Sequence, residues 1–313
     1  MEHLLRRFPG LEGFPRVDLG VRPTPTEEIE LDGFPIAVKR DDLSTPVYGG
    51  NKPRALEFLL APRPRRVMTF SSLLAYHAYA TAVHAAGLGL KTDVVLVRRG
   101  RESEVTELAE ALAARFCVVP GVTAALARAL AWWRPGTRVV PPGGACARGA
   151  VGTLAAVFEL EQLPRRIYVP LGTGVTASGL LAGLMLREAV TEVVAVRVAD
   201  RVAGWRALVW ARAFRAAALL RRFDPQVPRA AVGGVSLRVV SADGEYGQDT
   251  SSARATVERL RAVGLTLETT YTGKTMEVLL RERMPGALFW HTYSRPKALR
   301  TAEERGFWKV TPM

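Results

Sequence analysis

The chain has 313 residues, of which 48% are hydrophobic and 23% are charged, and it carries a formal net charge of +13. This composition excludes a disordered chain and suffices for one large domain or two intimate ones. The first ten residues lack the apolar core of a signal peptide, and the later apolar stretches are interrupted by arginines. We therefore expect a cytoplasmic protein without a membrane segment.

Cysteine, histidine and charge usage bear on two further classes of protein. Two cysteines and four scattered histidines predict neither a disulfide framework nor a metal site. Only six of the 43 basic residues are lysines, and the arginines spread along the whole chain without basic runs interleaved with aromatic residues. We therefore predict no nucleic-acid partner and interpret the charge as a solvated surface that attracts anionic substrates. A basic nucleic-acid-binding module is the least favoured alternative.

The hydrophobic pattern predicts strands and helices that alternate along the chain. Strands are predicted at 36–38, 67–70, 93–97, 118–119, 139–140, 167–171, 192–198, 235–240 and 287–291. Helices are predicted at 52–60, 75–86, 104–116, 124–133, 151–160, 177–188, 205–220, 253–262 and 274–283. This alternation predicts an α/β fold with mainly parallel sheets, in which ligands bind beyond the carboxyl ends of the strands.

A glycine-rich loop lies between the strand predicted at 167–171 and the helix that follows it. It begins Gly172-Thr173-Gly174-Val175-Thr176. Glycines let the backbone approach a phosphate, unbonded amides donate hydrogen bonds, and the helix dipole favours a negative charge. Thr173, Thr176 and Ser178 add hydroxyl donors. The loop lacks the lysine of a P-loop and the glycine spacing of the dinucleotide fingerprint. By itself it is as compatible with an ordinary turn as with a phosphate site.

The segment Gly49-Gly50-Asn51-Lys52 places a lysine in the first turn of a predicted helix. The helix dipole disfavours a cation there and lowers the pKa of the lysine toward that of a nucleophilic amine. Without further context, an exposed lysine is the simpler interpretation.

Five ordered segments nevertheless resemble one family of enzymes. They are Val38–Leu43 with Tyr48–Glu57, Ala75-Tyr76-His77, Gly172–Gly179, Tyr246-Gly247 with Tyr271-Thr272-Gly273-Lys274, and His291-Thr292. Together they resemble the 1-aminocyclopropane-1-carboxylate deaminase / D-cysteine desulfhydrase family, which belongs to the tryptophan-synthase-β-like pyridoxal-phosphate (PLP) enzymes of fold type II. The resemblance covers nearly the whole chain.

The resemblance implies an architecture and an assembly. It implies two three-layer αβα domains of mainly parallel sheet, with PLP in the cleft between them. The larger domain, which binds the cofactor phosphate, is expected at 1–48 and 165–313, and a smaller inserted domain at 49–164. A homodimer that acts on a small amino acid is also implied.

The resemblance also implies roles for particular residues. Lys52 is expected to bind PLP covalently and then to act as base or acid at the substrate α-carbon. Tyr271 is an acid/base candidate that faces the substrate, and Thr292 is expected near the pyridine nitrogen. The remaining residues of the predicted cofactor site are Asn51, Tyr76, His77, Gly172, Thr173, Gly174, Val175 and Thr176, of which Tyr76 is also a catalytic candidate.

The chain departs from the family at several of these positions. The family usually has Ser-Asn-His where Ala75-Tyr76-His77 stands here. The missing Asn binds the phenolic oxygen of the cofactor, and the missing Ser contacts the substrate carboxylate or transfers a proton. Tyr76 either reaches that oxygen with its hydroxyl or narrows the pocket with its ring. Thr272 stands where the deaminases carry a glutamate, which counts against cyclopropane ring opening.

These observations predict a PLP-dependent lyase or deaminase that converts a small amino acid to a 2-oxo acid and ammonia by deamination or α,β-elimination. An amino-acid racemase and a β-replacement synthase are alternatives, because all these reactions begin from the same carbanion. The loss of the Ser-Asn pair leaves a third alternative, a PLP-binding protein with lost or altered catalysis.

Overall fold

The computed structural model describes residues 1–98, 104–198, 205–244 and 246–296, which divide into two units. The first unit comprises Met1–Phe14, Gly20–Ala55 and Ala145–Arg295, and the second holds Pro15–Leu19 and Leu56–Gly144. The domain division expected at 48/49 and 164/165, with its assignment of roles, stays a prediction.

The secondary structure alternates along the described chain. The strands are β1 (Thr26–Leu31), β2 (Phe34–Lys39), β3 (Arg66–Ser72), β4 (Lys91–Val97), β5 (Arg115–Val119), β6 (Thr137–Val140), β7 (Arg166–Leu171), β8 (Glu192–Arg197), β9 (Ser236–Ser241) and β10 (Ala287–Trp290). The helices are α1 (Glu2–Arg7), α2 (Asn51–Leu59), α3 (His77–Gly87), α4 (Glu104–Leu112), α5 (Val122–Trp132), α6 (Ala147–Val157), α7 (Val175–Leu186), α8 (Arg206–Arg221), α9 (Ser251–Ala262) and α10 (Thr272–Glu282).

The first unit is built on a six-stranded sheet with the order β1-β2-β10-β7-β8-β9. The edge strand β1 pairs with β2 in antiparallel register, and the other neighbours are parallel. Because side chains alternate along a strand, Tyr168 and Val194 point to one face, where they pack with Leu260 and Met276 of α9 and α10. Helix α7 contacts the same strands β7 and β8 and packs against α6 and α8. Helices therefore cover the sheet as in an α/β fold.

The second unit has a parallel four-stranded sheet with the order β5-β4-β3-β6. Val95 and Val119 form a buried cluster with Ala125 of α5. Val94 and Leu96 point to the opposite face of β4 and are fully buried. Helices α3 and α4 pack against each other and against β4. The predicted α/β fold with mainly parallel sheets is confirmed.

Two predicted helices need correction, and two further elements were not predicted. The helix predicted at 104–116 is wrong at its end, because α4 ends at Leu112 and the following residues form β5. Arg115 is held there by Asp93 of β4, to which its Nε donates at 2.9 Å. Helix α6 begins before residue 151, since Cys146 caps it by accepting the amide of Gly149. The short α1 and the edge strand β1 were not predicted. Within the described ranges, no helix is long and apolar enough to cross a membrane.

Candidate active site

The chain that leads into α2 is fixed by backbone contacts with the ends of two neighbouring strands. The amide of Gly50 donates to the carbonyl of Asp41 at 2.7 Å, and that of Asn51 donates to the carbonyl of Thr292 at 3.3 Å. Gly50 has φ +84°, and a Cβ at this position would lie 2.5 Å from the Thr292 oxygen. Only glycine tolerates both conditions. The segments that follow β2 and β10 thus place Lys52 in the first turn of α2.

The Lys52 amine is half-buried and lies within the first unit. Its Nζ donates to Oδ1 of Asn51 at 2.7 Å. Burial lowers the pKa of Lys52 to about 8, against the opposing effect of the Glu268 carboxylate. Roughly a tenth of the amine is therefore deprotonated at pH 7, far more than for an ordinary lysine, and this is the form that attacks a carbonyl carbon.

Asn51 connects this lysine to the glycine-rich loop. Its side chain is buried, and its Nδ2 donates to Oγ1 of Thr176 at 2.6 Å. One amide side chain therefore contacts Lys52 on its oxygen side and the loop on its nitrogen side. The structure brings together Lys52, Asn51 and Thr176, which were predicted as parts of one site.

The loop has the geometry of an anion site. Gly174 precedes α7 with φ +83°, and a Cβ there would lie 2.8 Å from Cγ2 of Val209. The amides of Thr173, Gly174 and Val175 donate to no carbonyl within the described part of the chain. These amides and the dipole of α7 favour a bound anion.

One hydroxyl of the loop does not serve as predicted. Ser178 was expected to donate toward a ligand, but its Oγ donates to the carbonyl of Gly174 at 2.8 Å. Serine and threonine inside a helix often bond to the carbonyl four residues earlier. The Ser178 proton is therefore used within α7.

A pair of tyrosines lies beside the loop. Oη of Tyr271 and Oη of Tyr246 are 2.9 Å apart and share a hydrogen bond. A Cβ on Gly172 would lie 3.3 Å from the Tyr271 ring, so the ring directly borders the loop. Tyr246 was not among the predicted site residues, although Tyr246-Gly247 was part of the resemblance. Its proximity to Tyr271 depends on tertiary structure.

Glu268 positions the amino end of α10, which begins directly after Tyr271. Its carboxylate accepts the amides of Thr270, Tyr271 and Thr272 and the hydroxyl of Thr272, the last at 2.9 Å. This carboxylate caps the helix, as acidic side chains commonly do. The Thr272 hydroxyl is thereby engaged with Glu268. Glu268 was not among the predicted site residues, and the sequence signal for its role is an acidic residue four positions before a threonine at a helix start.

Thr292 and its neighbour lie at the end of β10. Besides its contact with Asn51, Thr292 adjoins His291, whose Nδ1 lies 3.0 Å from Oδ1 of Asp42. Burial raises the pKa of Asp42, but His291 and Arg40 outweigh this effect and lower it to about 2. Asp42 therefore remains a carboxylate at neutral pH, and the backbone beside Thr292 is anchored to it.

Tyr76 and His77 belong to the second unit. Tyr76 is the half-buried N-cap residue of α3, and His77 is the buried first residue of that helix. The hydroxyl of Ser71, at the end of β3, donates to the Ala75 carbonyl at 3.4 Å. The cofactor-binding roles of Tyr76 and His77 stay predictions.

The residues of the first unit fit a phosphorylated aldehyde cofactor such as PLP. The deprotonated amine of Lys52 suits an aldehyde carbon, and the loop amides suit a phosphate dianion. A Cβ on Gly172 would crowd the Tyr271 ring and one on Gly174 would crowd Val209, so the loop is built for glycine at both positions.

An α/β fold in which a lysine of lowered pKa is joined to an anion-binding loop defines a PLP-dependent enzyme of fold type II. Residues 17–289 match the family described as pyridoxal-phosphate dependent enzyme, and the chain belongs to this family. The predictions of PLP as cofactor and of a PLP-dependent enzyme are confirmed by this membership.

Several individual proteins are similar over most of the chain. Nocardicin C-9' epimerase from Nocardia uniformis subsp. tsuyamanensis is 33% identical, over 91% of this chain and 94% of its own. D-cysteine desulfhydrase from Salmonella paratyphi A is 29% identical, over 86% of this chain and 89% of its own. A crystal structure described as an ACC deaminase homologue superposes with a TM-score of 0.78 at 25% identity, covering 96% of this chain and 98% of the other. The predicted resemblance is therefore confirmed.

Proposed function

We propose that this protein catalyses the PLP-dependent deamination or α,β-elimination of a small amino acid, with a 2-oxo acid and ammonia as products. The observation that carries the proposal is the bridge from Lys52 through Asn51 to Thr176, which ties a reactive amine to the anion loop. When bound, PLP withdraws electrons from the α-carbon of an amino acid and so acidifies its proton.

The proposed roles follow from these positions. The loop Gly172–Thr176 holds the cofactor phosphate through its amides, and Lys52 binds the cofactor and then moves the proton at the substrate α-carbon. A pKa of about 8 suits this task, because it lies close to neutral pH and lets the group both accept and return a proton. Asn51 holds the Lys52 amine near the loop, because its side chain bonds to both Lys52 and Thr176.

The tyrosine pair is the proposed acid that protonates the group leaving the β-carbon. The hydrogen bond between Tyr271 and Tyr246 fixes the orientation of the Tyr271 hydroxyl. After Tyr271 has given up its proton, the Tyr246 hydroxyl can donate to the resulting phenolate. Thr272 is engaged with Glu268 and supplies no second acid here. This arrangement favours substrates whose β-substituent is a thiol or a hydroxyl, and the similarity to D-cysteine desulfhydrase supports that choice.

Epimerisation at the α-carbon is a second candidate. It is favoured by the 33% identity to nocardicin C-9' epimerase over 91% of the chain. Epimerisation requires a proton to leave one face of the α-carbon and return to the other, and Lys52 and Tyr271 are two separate proton carriers. Elimination and epimerisation begin with the same proton transfer, so they diverge only after it.

One experiment separates these reactions. The PLP-loaded protein is incubated in D₂O with the D- and L-forms of cysteine, serine and β-chloroalanine. Elimination predicts a 2-oxo acid and ammonia in equal amounts. Epimerisation predicts the opposite enantiomer with deuterium at the α-carbon and no 2-oxo acid.

A PLP-loaded protein that produces neither product and exchanges no α-proton would overturn both candidates and support a non-catalytic PLP protein. The double variant Ala75→Ser, Tyr76→Asn is the matched control. If this variant is active where the wild type is inert, the loss of the Ser-Asn pair is the cause.

The proposal extends to the setting of the enzyme. We infer a cytoplasmic homodimer that binds no nucleic acid, on the strength of the resemblance and the dispersed arginines. Sedimentation at 50 and 200 mM salt, with and without a DNA duplex, tests the dimer and the absence of nucleic-acid binding. A monomer, or binding to DNA that persists at 200 mM salt, would contradict them.

A further inference from the structure

Arg212 of α8 contacts the back of the glycine-rich loop. Its Nη1 donates to the carbonyl of Thr173 at 3.1 Å and to Oγ of Ser178 at 3.2 Å. The Ser178 hydroxyl in turn donates to the carbonyl of Gly174. The Gly174 carbonyl also accepts the backbone amide of Ser178 at 2.9 Å. Arg212 therefore restrains the Thr173 carbonyl directly, and it contacts the hydroxyl that helps to hold the Gly174 carbonyl. A Cβ on Gly174 would lie 3.5 Å from the same nitrogen.

The charge of Arg212 has no carboxylate to balance it in the described part of the chain. Burial lowers the pKa of Arg212, and among the described groups the Cys146 thiol alone opposes this effect. Arg54 differs in this respect, because Asp41 and Glu159 lie 2.7 Å from it. A half-buried guanidinium without an anionic neighbour is costly, and an anion bound at the loop would offset the cost.

We infer that Arg212 is a positioning residue of the loop, which orients the loop amides toward a phosphate dianion and supplies the positive charge that favours the dianion. This inference rests on the proposed assignment of the loop to the cofactor phosphate.

The orientation follows from the geometry of the peptide unit. In a trans peptide the carbonyl of one residue and the amide of the next point in opposite directions within one plane. Because Arg212 holds the Thr173 oxygen toward α8, the Gly174 amide points away from α8. The amide and the hydroxyl of Ser178 hold the Gly174 oxygen, which fixes the amide of Val175 in the same manner. Arg212 thus keeps the Thr173 carbonyl from turning toward a bound dianion.

The charge acts as a second, separable effect. A cation behind the loop stabilises a phosphate dianion more than a monoanion, and it does nothing for a ligand that lacks the phosphate. Arg212 is therefore expected to contribute to the affinity for PLP and not to the affinity for pyridoxal, which has the same ring and aldehyde.

The test measures both dissociation constants on the full-length apoprotein. The variants are Arg212→Gln, Arg212→Lys and the control Arg215→Gln, which removes an exposed arginine from the same helix. We expect Arg212→Gln to weaken PLP binding about ten- to hundred-fold, the scale of one charge-assisted hydrogen bond, and pyridoxal binding less than about three-fold. Arg212→Lys keeps the charge and should recover part of the loss, whereas Arg215→Gln should match the wild type.

A ³¹P NMR titration of bound PLP gives a readout that depends on charge. We expect the phosphate of the Arg212→Gln complex to become protonated at a higher pH than that of the wild type. Thermal unfolding of the apoproteins, recorded in parallel, shows whether each variant folds.

The outcomes separate this inference from the proposed function. PLP binding by Arg212→Gln equal to that of the wild type overturns the role of Arg212 alone. An equal loss of PLP and pyridoxal binding, with an unchanged ³¹P titration, also overturns it, because Arg212 would then only support the fold. A wild type that binds PLP no better than pyridoxal, and that inorganic phosphate does not inhibit, overturns the assignment of the loop as well.

Discussion

Arg54, two residues after Lys52 in α2, belongs to a buried ionic network centred on Glu159. The Glu159 carboxylate accepts hydrogen bonds from Nζ of Lys39 at 2.7 Å and from Nη1 of Arg54 at 2.7 Å. It also accepts the amide of Thr24 at 3.1 Å. The side chains of Lys39, Arg54 and Glu159 are only 0%, 1% and 2% exposed. Replacing Glu159 with glutamine removes the carboxylate that is paired with Lys39 and leaves Arg54 with Asp41 alone.

The structure gives the size of the effect. Burial alone would raise the pKa of Glu159, but Arg54 and Lys39 outweigh it and lower the pKa from 4.5 to about 2. A shift of this size corresponds to roughly 3 kcal/mol, since one pKa unit is about 1.4 kcal/mol. Measured losses for buried ion pairs deprived of one partner run to about 3–5 kcal/mol, which agrees. We therefore expect Glu159→Gln to lower the free energy of unfolding by about 3 kcal/mol at pH 7.

Urea unfolding followed by circular dichroism measures this loss. The matched control is Glu161→Gln, because Glu161 is exposed and lies two residues along the chain; it should change stability by less than about 0.5 kcal/mol. The pKa of Glu159 is lower in the folded state, so its contribution is complete above about pH 4.5 and disappears as the pH falls toward 2. A loss below about 1 kcal/mol at pH 7, or a loss that persists at pH 2, would refute the reasoning.

Three further predictions concern the site and its supports. Gly152→Ala should destabilise the protein by about 1–3 kcal/mol in urea unfolding, because its Cβ would lie 1.9 Å from the Arg54 carbonyl. The control Gly13→Ala, whose Cβ would meet nothing within 4 Å, should be close to neutral. Tyr271→Phe should lower kcat by about 10²–10⁴-fold and leave the PLP absorbance unchanged; equal kcat values would exclude the proposed acid. The rate of PLP incorporation into the apoprotein should rise about tenfold per pH unit and level off above about pH 8, the pKa of Lys52, and a rate independent of pH between 6 and 8 would contradict this.

Much of the fold follows from local patterns in the sequence. The strand β7, its glycine loop and α7 were predicted because an apolar run, a turn and a helical period follow one another directly. The edge strand β1 was missed because its sequence, TEEIEL, carries three glutamates and resembles a polar loop. Its pairing with β2 makes it a strand, and pairing is not local. The first residues of β5 were assigned to a helix, because the pairing with β4 that makes them a strand is likewise not local.

The site divides in a similar way. Lys52 and the loop were predicted because each has a local chemical signature and both belong to the resemblance. Asn51 and Thr176 are 125 positions apart, and only folding shows that they bond. Arg212 and Glu159 look like surface charges in the sequence, as most charged residues are. Their burial against particular partners is a property of the tertiary structure.

The central claim is that Lys52 binds the cofactor, and the absorbance spectrum of the protein with PLP tests it most directly. Wild type, Lys52→Ala and the control Lys91→Ala, which changes an exposed lysine, are compared before and after borohydride reduction. We predict a visible band for the wild type and Lys91→Ala that is absent from Lys52→Ala, and mass spectrometry should find the reduced cofactor on Lys52. The same band in Lys52→Ala, or no band in the wild type, would contradict the assignment of this site.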